Sequence, residues 1–256
     1  MTMMHHVLNE SGPRPVTLVV AADVANYDLF VQAGSPLGPV DVVLTINSGV
    51  TIYSSSGNAA LYQSSSFPVG STVNIINNGT ICGRGGNAGG GHNGPGSGGA
   101  GLPGSPGGAA GDAIALSDDW TIDNTYGNIF GGGGGGSGGY SSMSSGAYGD
   151  GGGGGGGGQG RDGGAHGSGG AAGINGTKGN NGGNGSVSTY GRGGARGGDA
   201  GDGADGGGWG NKGGNTFGGS YGTVIGGAPG DAITLNGHTA TFIGGNNPSQ
   251  VKGAVA

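Results

Sequence analysis

The residues of this chain whose chemistry first draws attention are spaced aspartates, glycine-flanked arginines, three of the five histidines and one cysteine. Asp199, Asp202 and Asp205 recur at every third position. On an extended helix of three residues per turn they share one face. Such a stripe offers oxygen ligands to a hard cation such as Ca²⁺ or forms a solvated acidic edge. Gly157-Gly158-Gln159-Gly160-Arg161-Asp162 approaches a calcium-binding nonapeptide repeat, but Gly164 stands where that repeat needs a large apolar residue and the pattern does not recur. His92, His166 and His238 lie in separate segments with no nucleophile beside them and no His-Glu-X-X-His spacing. Gly210-Asn211-Lys212-Gly213 lacks the flanks and the Ser/Thr of a phosphate-binding loop. Cys82 is single, which excludes an intrachain disulfide and a cysteine zinc cluster. These residues point to no catalytic site, metal or cofactor, and the expectation is a protein that is not an enzyme.

Arg84, Arg192 and Arg196 sit in RGG-like contexts, and Tyr190 and Tyr221 lie near enough to suggest a segment that stacks bases and contacts phosphate. The charge balance opposes this: eight Lys and Arg face 14 Asp and Glu, a net charge of −6. Phosphate binding needs the opposite excess. The stronger candidates are aromatic. Tyr140, Met143 and Tyr148 lie in the first insert among the glycines, Tyr190 closes the second (174–190), and Trp209, Phe217 and Tyr221 lie in the third. Rings and a methionine among Gly, Ser and Asn have the composition of binding loops, where a ring brings contact area at small entropic cost. The competing reading is that these rings cover the ends of a glycine bundle.

The elements that must position them are unusual. Of 256 residues 76 are glycine, and six of these precede Gly79: Gly12, Gly34, Gly38, Gly49, Gly57 and Gly70. Runs of six, Gly131 to Gly136, and eight, Gly151 to Gly158, flank the first aromatic insert. Helices and ordinary strands do not favour such runs, because glycine loses the most backbone entropy and packs no side chain. A left-handed threefold extended helix is different: it makes no internal hydrogen bonds, and bare backbones of this kind can bond laterally, helix to helix. The expected fold of this part is a polyglycine-II sandwich. Disorder is the alternative, since Gly/Ser-rich chain is commonly a flexible linker. Against it stand the aromatic inserts, the return of β-type sequence after the glycines, and the near-repeat of Gly111-Asp112-Ala113-Ile114-Ala115-Leu116 in Gly230-Asp231-Ala232-Ile233-Thr234-Leu235.

Residues 12–80 read as β structure. Val16–Val20, Tyr27–Val31, Val40–Ile46, Val50–Tyr53 and Thr72–Ile76 are strand candidates separated by Gly, Pro, Asn and Ser turns. Their close spacing suggests a sandwich, a barrel or a β-solenoid. The composition break places a domain boundary near residue 80: a β domain over 1–80, and a glycine-rich domain over 81–256 with a closing C-terminal strand. Essentially no α-helix is expected. No apolar run reaches the 18 or so residues of a membrane span, and Met1 to Ser11 lacks a signal-type apolar stretch.

Two motifs carry a family resemblance. Asn77-Asn78-Gly79-Thr80-Ile81-Cys82-Gly83-Arg84-Gly85-Gly86 and Asn128-Ile129-Phe130 followed by Gly131 to Gly136 resemble the glycine motifs of bacteriophage tail-tip and tail-fibre adhesins, and the stretch from Gly230 to Val255 resembles the C-termini of phage host-specificity proteins. The resemblance covers about residues 70–256; residues 1–70 do not resemble the fibre-attachment domain of the T-even adhesin. It implies a polyglycine-II sandwich whose loops bind a host outer-membrane protein or surface glycan. It also implies a virion protein at the distal end of a tail or tail fibre, mounted through the N-terminal domain, without nucleic acid or membrane insertion. The other readings are a glycine-rich structural or ice-binding protein and a disordered RGG-type RNA binder. A bonded bundle predicts a sharp thermal transition and slow amide exchange over 131–139 and 151–158; complete exchange within seconds would mean a disordered chain.

Overall fold

The computed structural model describes residues 12–94, 102–142, 149–173, 176–217 and 222–256. Its β part is a solenoid in which each turn of chain lays one strand on each of three parallel sheets, A, B and C. The first turn is β1 (Arg14–Val20), β2 (Val24–Ala25) and β3 (Tyr27–Asp28), followed by a four-residue helix α1 (Leu29–Gln32). The second is β4 (Val40–Ile46), β5 (Thr51–Tyr53) and β6 (Leu61–Tyr62). The third is β7 (Thr72–Asn77), β8 (Thr80–Cys82) and β9 (Ile114–Ala115). The fourth is β10 (Trp120–Asp123) and β11 (Asn128–Phe130). After an excursion that holds the antiparallel pair β12 (Thr216–Phe217) and β13 (Thr223–Val224), it closes with β14 (Ile233–Thr234). The last is β15 (Ala240–Gly244) and β16 (Val251–Lys252), ending on a bridge from Val255 to Ile233.

Alternation within each strand sends every second side chain inward, and the parallel register stacks like on like. On sheet A, Val16, Val42, Val73, Trp120 and Ala240 form one column and Leu18, Leu44, Ile75, Ile122 and Phe242 the next. Val24, Ile52, Ile81, Ile129 and Val251 make the column of sheet B. Tyr27, Leu61, Ile114 and Ile233 make that of sheet C. These columns meet in one apolar core. Its buried polar groups are paired, as burial demands. Asn77 Nδ2 donates to Asn124 Oδ1 at 2.7 Å at the corner between A and B, and Trp120 Nε1 donates to Gln63 Oε1 at 2.7 Å.

The structure differs from the sequence reading in two places. Tyr27–Val31 is not one strand: Asp28 accepts from the amides of Phe30 and Val31 and turns the chain into α1. The compositional boundary near residue 80 marks where the chain first leaves the solenoid, but the solenoid takes it back at β9, β10 and β11 and again from β14 onward. The glycine-rich body is therefore two excursions, 83–113 and 131–232, both leaving sheet B and returning to sheet C. The repeated Gly-Asp-Ala-Ile element is the re-entry: Ile233 pairs with Ile114, and Asp112 accepts from the Asp231 amide and the Thr234 hydroxyl.

Inside the excursions the chain runs outward from 83, 131, 162, 189 and 211 and returns over 102–111, 149–158, 176–186, 200–207 and 222–230. Apart from the β12–β13 pair, the described parts of these segments do not pair as ordinary strands; they bond laterally with a period of three. Gly151, Gly154 and Gly157 donate to Thr177, Asn180 and Gly183. Gly152, Gly155 and Gly158 donate to His92, Gly89 and Gly86, while Gly153, Gly156 and Gln159 donate to Gly201, Ala204 and Gly207. The carbonyls of the same residues accept from three further segments, 133–139, 164–170 and 191–197. Residues 131–139 are surrounded in the same way. The two long glycine runs are thus the interior segments, with a neighbour on every side and room for a side chain on none.

At the edge, solvent-facing positions recur with the same period of three, and most of them carry a side chain. There Asn and Asp complete the bonding: Asn87, Asn93, Asn181 and Asn184 accept from the amides of Ala165, Ala171, Gly169 and His166, and Asp202 and Asp205 from those of Arg196 and Gly193. A Cβ on Gly155 would overlap the Gly136 carbonyl oxygen, whereas on Gly90 it would meet nothing closer than Ser168 O at 3.7 Å. Gly155→Ala is expected to destabilise by about 1–3 kcal/mol or more, as overpacking does, and Gly90→Ala to leave the thermal midpoint nearly unchanged. Unfolding of the two variants followed by circular dichroism checks this.

Candidate functional site

The alternation of outward and returning segments sorts the predicted side chains to two ends of the glycine body. At the end against the solenoid lie the turns near 160, 187 and 209. Trp209, 9% exposed, packs on Phe130 at the end of β11 with ring centroids 5.4 Å apart, and Lys252 Nζ covers the other ring 4.9 Å from its centre. Gln159 Oε1 accepts from the Trp209 amide. On the same end Arg161 reaches back to the solenoid, pairing with Asp23 at 2.7 Å and lying 4.2 Å over the Tyr53 ring. Trp209 is therefore bound into the junction, and Tyr190 stands beside it, close to Gly208. Aromatic, cationic and ionic contacts at two places lock the body onto sheet B.

At the far end lie the ends of the segments that flank 95–101, 143–148, 174–175 and 218–221. Met143, Tyr148 and Tyr221 lie outside the described residues. Tyr140 lies against Gly201, where a Cβ would overlap its ring, and the Tyr140 carbonyl accepts from the Gly201 amide. Phe217, on β12, is 74% exposed. Leu102 and Ile225 are exposed towards the same end. Sequence reasoning passed over both because it looked for rings; the available signal was a large aliphatic side chain isolated in a glycine segment. Leu102 is held by a reciprocal pair: its amide donates to Ser141 Oγ and its carbonyl accepts from the Ser141 amide.

Cys82 is fully buried, and burial pushes its thiol up to about 12, which disfavours the thiolate form. His166 Nδ1 is 2.6 Å from Asn184 Oδ1, and His92 Nδ1 is 2.8 Å from Asn93 O. The aspartates at 202 and 205 serve the edge amides, and among the described residues no group of three or more His, Cys, Asp or Glu is placed to hold a metal ion.

Asp150 organises the far end. Its carboxylate accepts from the amides of Thr177 at 2.7 Å and Asp199 at 2.9 Å, joining the returning segments 149–158 and 176–186 to the turn at 198–199. The Thr177 and then the Asp199 amide hold the carboxyl below the ordinary carboxylate range. The native state thus prefers the ionised form. The stability this adds is complete above the ordinary value near 4 and is lost as pH falls through the depressed one. Wild type is expected to lose thermal stability on that descent, and Asp150→Asn to show a weaker pH dependence across the same window, read from thermal midpoints at pH 7 and pH 3.

The profile of the family described as phage tail fibre adhesin Gp38 matches residues 15–255. Among solved structures, the gp37–gp38 adhesin tip complex of the bacteriophage S16 long tail fibre is similar, at 23% identity and a TM-score of 0.58 over 90% of this chain and 79% of that one. At this identity the likeness concerns the fold. The comparison with curated protein sequences gives no match.

Proposed function

Because the chain belongs to the Gp38 family of phage tail fibre adhesins, we propose that its far end recognises the host surface and its solenoid mounts it on the fibre. The ligand class is a host outer-membrane protein or surface glycan, and the place of action is the distal end of the tail fibre. The observation that carries the proposal is the sorting of the segment ends. The turns remote from the solenoid are where an exposed ring, Phe217, and exposed aliphatic side chains gather. Of the opposite turns, those near 160 and 209 are engaged by the Arg161 and Trp209 contacts, and the one near 187 leaves Val187 and Tyr190 partly exposed beside the junction. Recognition by loops on a rigid support is a general arrangement, since the support limits the ordering cost of binding.

The mechanism is surface adhesion without covalent chemistry. The support itself is read as a polyglycine-II sandwich. The threefold rotation of bonding partners along each glycine segment favours that geometry, because three residues per turn is its period.

Adsorption of the purified protein to host cells tests the reading. Phe217→Ala is expected to weaken adsorption about tenfold, in the range of a binding hot spot, with the thermal midpoint unchanged. Trp209→Ala is expected to lower the midpoint. Full adsorption by Phe217→Ala would refute the assignment of this end.

A further inference from the structure

In each turn of the solenoid the chain passes from sheet A to B to C, and both glycine excursions leave at the corner between B and C. In a three-sided solenoid that corner lies across the core from sheet A. The outward segments prolong the strands of B, as when the Gly83 amide donates to Phe130 O, and the returning ones feed C. The outer surface of sheet A is therefore turned away from the glycine body, on the opposite side of the molecule from the proposed receptor end.

That surface has the make-up of an interface. Val19, 59% exposed, Val43, Ile76 and Ile243, 71% exposed, stand outward on four of its five strands. Threonines fill most of the positions between them, and Asp41, one of its few charges, is paired with the Thr72 hydroxyl at 2.9 Å. Leu37 and Val69, both almost fully exposed on the turns that enter β4 and β7, continue it around the corner from C. The outer side of B is different, because Arg161 and Trp209 cover its end. Four strand spacings by six or seven residues make on the order of 400 Å² in plan. That is about half of the roughly 800 Å² that each partner commits to a standard interface, and the corner turns add to it.

We infer that the outer face of sheet A, with the Leu37 and Val69 corner, is the surface that seats this adhesin on its tail-fibre protein, and that the fibre presents an uncharged apolar and hydroxyl-bearing end to it. This rests on the adhesin reading above and assigns the mounting face within it. The similar solved structure, a complex of an adhesin with a second fibre protein, is consistent with one dedicated mounting surface.

The test uses the full chain and the tail-fibre protein of the same phage, immobilised for binding measurements. Val19→Lys combined with Ile76→Lys, and separately Thr121→Lys, are expected to weaken fibre binding by at least about tenfold. Thermal midpoints and adsorption of the free adhesin to host cells are expected to stay at wild-type values. Tyr62→Lys, on the outer side of sheet C, is expected to bind the fibre normally. Fibre binding that survives both sheet A variants, or that fails with Tyr62→Lys instead, overturns the assignment. So does a wild-type dimer in sedimentation that Val19→Lys dissociates, since a second copy would then occupy the face. Failure of the wild type to adsorb to cells while its fibre binding behaves as expected would count against the receptor reading alone.

Discussion

Hydrogen bonding between bare backbones is the constraint that the structure depends on. In the glycine body, donors and acceptors point sideways and find partners on other segments, so cohesion comes from main chain instead of side-chain burial. Each such bond contributes modestly, about 0.5–1.5 kcal/mol net, against a comparable cost of ordering each residue. The arrangement is stable when many segments bond at once and when their ends are held. Two interior segments with neighbours on all sides provide the first condition, and the solenoid provides the second by clamping both ends of each excursion between its stacked strands.

The two parts divide the physical labour. The solenoid is an ordinary apolar core in which columns of Val, Leu and Ile set the register. That register determines the depth at which each glycine segment starts, because β8 and β11 run directly into Gly83 and Gly131. The edge of the glycine body is then finished by Asn and Asp side chains, which supply the acceptors that missing neighbours would have provided. The acidic stripe at 199, 202 and 205 takes its spacing from this edge: the period of the aspartates is the period of the outward-facing positions.

Much of this was legible in the chain. Alternation over Val40–Ile46 and Thr72–Ile76 and the recurring Gly-Asp-Ala-Ile element announced β structure on both sides of the glycines, and the glycine runs announced close backbone approach. The nesting was not legible. Composition reports what is local, whereas β9 and β14 are two-residue strands whose meaning lies in partners more than a hundred residues apart. The candidate rings were located by type, and type does not say which end a turn occupies. Trp209 and Phe217 are eight positions apart with similar neighbours, yet one closes the junction against Phe130 and the other stands in solvent. Helix α1 escaped because a single aspartate, Asp28, redirects an otherwise strand-like Leu-Phe-Val.

The lateral bonding described for the glycine body also governs how it bears load. Force applied between the solenoid and the far end of the glycine body pulls along the segments, at right angles to the bonds that join them. Tension of that kind acts in shear across a whole row of bonds together and cannot open them one after another like a zip. A body built this way resists such a pull with the summed strength of its rows, although each of its links is weak.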